Sequence, residues 1–261
     1  MGGLIDLFKF STKFPVGNTP IKEDASLGKS MKFFPIVGMI IGIILFGCYM
    51  LTIKVLHNTF TLGVILICIE TILSGGIHLK GLAATFDSVF SYRSKQKMLD
   101  RMKEDKISVN GALVLGFAIL IKTVTVSESG IAMGVILLTM PVMGRLGAVM
   151  NCVCAPGARS TGVGKMFADN TSAIDVVIST VLSCAYLYGV LMIFSRYLGM
   201  DISGAYKLFL VVPISLICGA IHAKWMKQKI GGITSDTIGA IVELIEVITA
   251  ICIYILMFFP K

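Results

Sequence analysis

The chain has 261 residues, of which 56% are hydrophobic and 15% charged. Soluble domains carry about 25% charged residues, so the composition excludes an ordinary water-soluble domain. It predicts an all-α, polytopic bundle in the bilayer, with residues 1–261 as one membrane domain. The net charge of +8 sits mostly in short loops without a basic, aromatic-interleaved groove, which excludes nucleic-acid binding.

The first apolar patch, Leu4–Phe14, is broken by Asp6, Lys9 and Lys13. It reads as an amphipathic helix lying on the membrane, not as a cleavable signal peptide. Apolar runs long enough to cross a hydrocarbon core as helices then predict seven spans. They are Phe33–Ile53, Thr61–Gly75, Val109–Val126, Ile131–Cys154, Ala173–Phe194, Leu208–His222 and Ile238–Phe259. The second is short and ends in a glycine pair, as a re-entrant or broken helix does.

Seven spans place the N-terminal segment and the loops near 76–110, 155–172 and 223–237 on one side. Most Lys and Arg fall there, and the opposite side holds only Lys54, Arg196, Lys207 and Lys261. By the positive-inside rule the basic side is cytoplasmic, giving a multi-pass protein of the inner membrane. The same charge attracts anionic headgroups, so the lipid bilayer is itself a partner. The seven cysteines lie in or at the ends of apolar runs, where a thiol packs as a small hydrophobe. Cys152 and Cys154 have no matching His or Cys pair, so neither zinc nor disulfides are expected.

Three polar clusters interrupt the hydrophobic pattern on the cytoplasmic side: residues 78–111, "ARSTGVGKMF" at 158–167, and "GGITSDTIGAIVELIE" at 231–246. Their convergence would build one polar basin at the membrane surface. Gly-rich turns with Lys suit phosphate, because backbone N–H groups can approach closely and Lys adds charge. The competing reading is a set of tight interhelical turns.

Glu70, Lys122, Arg145 and Glu243 fall within or near hydrocarbon, where charge is costly and has a purpose. Lys122, near a span end, is placed to snorkel. Arg145, near mid-span, calls for a carboxylate partner or a bound anion. Asp236 and Glu243 are two helical turns apart and share a face. Positions 80, 84 and 87 also share one face, where three carboxylates would hold Mg²⁺ against a diphosphate. This chain has Lys80, Ala84 and Asp87 there.

Several ordered motifs now carry a resemblance. "FSTKFPV" at 10–16, "GGIHLKGLAATFDS" at 75–88, "ARSTGVGKMF" and "GGITSDTIGAIVEL" are together similar to the cobalamin synthase family, or adenosylcobinamide-GDP ribazoletransferases, over nearly the whole chain. The resemblance implies a membrane transferase that joins adenosylcobinamide-GDP to α-ribazole or its 5′-phosphate, with Mg²⁺ and release of GMP. It implies catalytic roles for His78, Asp87, Arg159 and Lys165. Lys80, Lys106, Asn110, Arg145 and Thr234 would bind substrate, and Asp87, Glu104, Asp236 and Glu243 would offer oxygens to the metal.

The departures concentrate at the expected chemistry. Lys80 and Ala84 replace two motif aspartates, Ser88 and Ser235 replace glycines, and Glu104, Lys106, Ser108 and Asn110 depart from a further pattern. Exchanging two carboxylates for a cation and a methyl removes metal ligands and adds a charge that repels Mg²⁺. The alternative expectation is a catalytically impaired paralogue that acts as a non-catalytic membrane subunit or precursor-binding protein; the expected protein partners are a second copy of the chain or an active synthase. A transporter is disfavoured, because its polar residues would gather at the bilayer midplane.

Overall fold

A computed structural model describes residues 2–13, 25–91, 94–104, 106–198 and 206–258. Phe14, Lys22, Arg93, Phe259 and Lys261 lie outside the described residues. Among those described, the secondary structure is helical apart from turns and one isolated bridge. The amphipathic segment forms α1 (Gly2–Ser11), and α2 (Ala25–Lys29) leads through a 3₁₀ turn into α3 (Phe34–Thr52). Then come α4 (Thr59–Ser74), α5 (Ile77–Ser91), α6 (Lys95–Arg101) and α7 (Val109–Glu128). The chain continues with α8 (Met133–Cys154), α9 (Val163–Asn170), α10 (Ala173–Leu198), α11 (Val211–Ile230) and α12 (Ser235–Phe258).

Among the described residues, six helical segments, ending in α3, α7, α8, α10, α11 and α12, are long and apolar enough to cross a membrane. α4 and α5 meet that standard only as a pair, and they are bent by 89°. The bend has a local cause. Gly75 and Gly76 adopt φ of 63° and 67°, a left-handed pair that L side chains avoid. Gly75 closes α4 by donating its N–H to the Ile72 carbonyl at 3.0 Å, and Gly76 donates to that of Thr71 at 3.0 Å. The expected re-entrant or broken helix is therefore present as a right-angled turn between α4 and α5. The sixth span is longer than its hydropathy suggested, because α11 continues past His222 to Ile230 and carries Lys224, Lys227 and Lys229 on its last turns.

α8 is the axis of the bundle. Every residue from Met133 to Val149 is buried, as expected of a helix that is apolar on all sides. It packs against α3, α10, α11 and α12. Small residues bring these helices close: a Cβ on Gly219 of α11 would collide with the Gly147 carbonyl of α8. Asn151 of α8 donates to the Gly219 carbonyl at 3.0 Å, fixing that crossing. α5 packs on both α12 and α7, which brings the polar end of the bundle together.

Candidate functional site

The three polar clusters do meet. The Ala158 N–H donates to the Ile233 carbonyl at 2.8 Å, and the Ile233 N–H donates to that of Pro156 at 2.8 Å. This two-bond parallel bridge ties the second cluster to the third. The first cluster closes on them through Gly81 of α5, where a Cβ would lie 2.5 Å from the Asp236 carbonyl. Only a residue without a side chain lets α5 cross α12 so tightly.

Thr234 begins α12 as a reciprocal cap. Its N–H donates to Thr237 Oγ1 at 2.8 Å, and the Thr237 N–H donates to Thr234 Oγ1 at 3.3 Å. The Thr234 hydroxyl also contacts Met102 Sδ at 3.8 Å, reaching back to the end of α6. One turn into the same helix end, Asp236 has Arg159 and Lys80 close enough for their charges to act on it. Arg159 is held by a 3.0 Å bond from Nη2 to the Leu99 carbonyl, while its Nε is buried without a partner.

His78, Lys80 and Asp236 line one cavity of about 210 Å³. Its other walls come from α1, α3, α9 and the turn before α3. His78 is buried, with its ring 6.4 Å from that of Phe34 in an edge-on arrangement. Its Nε2 is buried and has no partner. The charges of Arg145, Glu246 and Lys122 lie close enough to act on the imidazole from the bundle interior.

Asp87 lies elsewhere in function. Its Oδ1 accepts from the Ser108 hydroxyl and from the Gly111 N–H at 2.6 Å, and its Oδ2 accepts from the Ser108 N–H at 2.7 Å and from Arg101 at 3.4 Å. Those donors belong to the first turn of α7 and the end of α6, so Asp87 caps one helix and pins another. Four donors fill the four lone-pair directions of a carboxylate, leaving no acceptor capacity for a metal. Glu104 pairs with the other side of Arg101 at 2.5 Å. Asn110 donates to Ser91 Oγ at 3.3 Å, Lys165 pairs with Asp169 at 2.7 Å, and Lys106 is exposed.

The charges within the spans form a second, separate assembly. Lys122 Nζ reaches Glu70 at 3.1 Å, Glu243 at 3.0 Å and Glu246 at 2.5 Å. Arg145 pairs with Glu246 and donates to the Pro141 carbonyl at 3.1 Å. Lys122 thus turns into the bundle instead of snorkelling, since three carboxylates from α4 and α12 wait there. Arg145 has a carboxylate partner. Glu246 joins the two cations, a role that its place in the third motif did not disclose.

Among the described residues, no three His, Cys, Asp or Glu side chains gather as a metal-binding group. Of the four expected oxygen donors, Asp87 is saturated, Glu104 is on Arg101, and Glu243 is on Lys122. Asp236 has the charges of Arg159 and Lys80 acting on it. This donor set does not fit a Mg²⁺ centre, which needs several carboxylate or water oxygens in near-octahedral order. Sequence alone could not reveal this, because it shows which residues share a helix face and not which partners already occupy them.

The signature of the family described as Cobalamin-5-phosphate synthase matches residues 3–254. The adenosylcobinamide-GDP ribazoletransferase of Fusobacterium nucleatum subsp. nucleatum is 36% identical over 94% of this chain and 94% of its own length. The enzyme of that name from Clostridium acetobutylicum is 33% identical, covering 98% of this chain and 97% of the relative. The one from Caldanaerobacter subterraneus subsp. tengcongensis is 32% identical over 97% and 98%. No solved structure matches the chain.

Proposed function

Because the chain belongs to the Cobalamin-5-phosphate synthase family, we propose that it joins adenosylcobinamide-GDP to α-ribazole or its 5′-phosphate and releases GMP. The observation that carries this reading is the convergence of three separate motif clusters on the start of α12, where Lys80 and Asp236 line one cavity and the charge of Arg159 acts on Asp236. The reaction takes place at the cytoplasmic face of the inner membrane, on the side that holds most of the basic loop residues.

In this reading a ribose hydroxyl of the acceptor attacks the phosphorus attached to the cobinamide side chain. A new P–O bond forms, and the P–O bond to GMP breaks. GMP leaves with the bonding electron pair. Asp236, which lines the cavity, takes the hydroxyl proton. Lys80 and Arg159 meet the charge that develops on the bridging and leaving oxygens, the dominant contribution available to phosphoryl transfer. His78 and Thr234 hold the walls and the helix start that position these groups. Arg145 acts at a distance, through Glu246 and the bundle interior.

A second reading has an observation of its own. Asp87, the remaining motif aspartate of α5, is fully engaged as a helix cap, which also suits a non-catalytic protein that binds the same precursors or partners an active synthase. The two readings separate in one assay. The purified chain in lipid nanodiscs should release GMP only when adenosylcobinamide-GDP and α-ribazole phosphate are both present. Tight binding of adenosylcobinamide-GDP with no GMP released would establish the non-catalytic reading instead.

A further inference from the structure

The cavity lined by Lys80 and Asp236 is apolar over most of its other walls. Leu7 and Phe10 of α1, Met31 before α3, Phe34, and Phe167 of α9 surround it. The rings of Phe10 and Phe167 stand edge to face, 5.6 Å between centroids at 69°. Leu7, Met31, Phe34 and Phe167 are all buried, as is His78, which packs edge-on against Phe34. The polar side chains Lys80 and Asp236 line the same cavity.

From this contrast we infer that the cavity binds the planar heteroaromatic base of the nucleoside acceptor, with its ribose at Lys80 and Asp236. The assignment rests on the transferase reading. Size supports it. An apolar cavity of about 150 Å³ accepts a benzene ring, and one of about 210 Å³ has room for a fused second ring. The corrinoid of the other substrate is far too large.

Chemistry separates the three remaining bases. Guanine and adenine, both on the other substrate, present donors and acceptors along their edges, and walls of Leu, Met and Phe would leave most of them unpaired. The benzimidazole of α-ribazole has one free ring nitrogen and is otherwise apolar, so it suits aromatic edges and aliphatic walls. A base seated there would bring its ribose hydroxyls to Asp236, the group placed to accept the proton. The N-terminal helix would then have a role in binding, since α1 supplies part of the wall and so completes the pocket.

Equilibrium binding by protein in nanodiscs, with α-ribazole and adenosylcobinamide-GDP titrated separately, tests the assignment. Phe167→Trp fills the cavity from α9, and Ile77→Phe fills it from α5 should the first variant fail to fold. The expected result is α-ribazole affinity weakened by about tenfold or more, with adenosylcobinamide-GDP affinity within about twofold of the unaltered chain. Unchanged α-ribazole affinity, or a loss confined to adenosylcobinamide-GDP, would overturn the assignment. These readouts do not need turnover. A chain that releases no GMP yet loses α-ribazole binding in both variants keeps the pocket and loses the transferase reading. A chain that releases GMP while both variants bind α-ribazole normally does the reverse.

Discussion

Asp87 shows how a motif residue can serve the fold at a site where chemistry was expected. Its carboxylate receives the Ser108 and Gly111 N–H groups, the Ser108 hydroxyl and Arg101. Removing it leaves buried donors at the start of α7 unpaired. Asp87→Ala should therefore destabilise the protein by on the order of 2–3 kcal/mol, read as a lowered melting temperature in detergent. Asp87→Asn, which keeps one acceptor oxygen, should lose less. Normal melting of Asp87→Asn together with abolished turnover would contradict the capping role. Gly111 is tied to the same feature, since a Cβ there would lie 2.9 Å from the Asp87 carboxyl carbon. Gly111→Ala should reproduce much of the Asp87→Ala loss, because it pushes the cap off the helix it closes.

At the scale of elements, the buried charges hold α4, α7, α8 and α12 to one another. Three carboxylates, Glu70, Glu243 and Glu246, face two cations, Lys122 and Arg145. Each charge is tolerated only because its partners are present. Lys122→Met removes the one group that contacts all three acids, and breaking a buried pair of this kind costs about 3–5 kcal/mol. The expected outcome is a large drop in melting temperature, partly reversed when Glu243→Gln is added to Lys122→Met. No reversal would mean that the acids are not held by Lys122.

The same elements show what the sequence disclosed. The break after α4 was legible, because paired glycines at the end of a short apolar run have few other uses. That Arg145 would need a carboxylate or a bound anion was also legible from its depth, and the packing of α8 on α12 decides for the carboxylate of Glu246. The direction of Lys122 was not, since hydropathy gives position along a helix and not the face that meets a neighbour. Nor could it show that the acceptors of Asp87 were already occupied. Its donors come from residues 101 to 111, and only the packing of α5 on α6 and α7 brings them together.

Across the whole molecule, the helices act as a scaffold that delivers three distant segments to one end. The predicted spans, their order and the amphipathic start match the helices among the described residues to within a few positions, except that α11 and α12 extend further at their polar ends. The proposed orientation, with the basic loops on the cytoplasmic side, rests on the positive-inside rule. In a cysteine-free background, Ser160→Cys in the exposed second-cluster loop should react with a membrane-impermeant maleimide only after the cytoplasmic side is opened. Asn58→Cys before α4 should react from the outside. Exchanged labelling would invert the membrane orientation and move the basin to the wrong compartment for a nucleotide-activated substrate.

The central claim is that Lys80 of α5 and Arg159, whose charges act on Asp236 at the start of α12, do the work expected of a carboxylate cluster on α5. GMP release by the unaltered chain should be measured beside that of the Lys80→Asp, Ala84→Asp double variant, both in lipid with adenosylcobinamide-GDP and α-ribazole phosphate. The account predicts turnover by the unaltered chain and a fall of about a hundredfold or more in the variant, since a charge that stabilises the reacting phosphate is reversed. Silence from the unaltered chain, with turnover appearing in the variant, would contradict it and identify a synthase scaffold whose metal site had been lost.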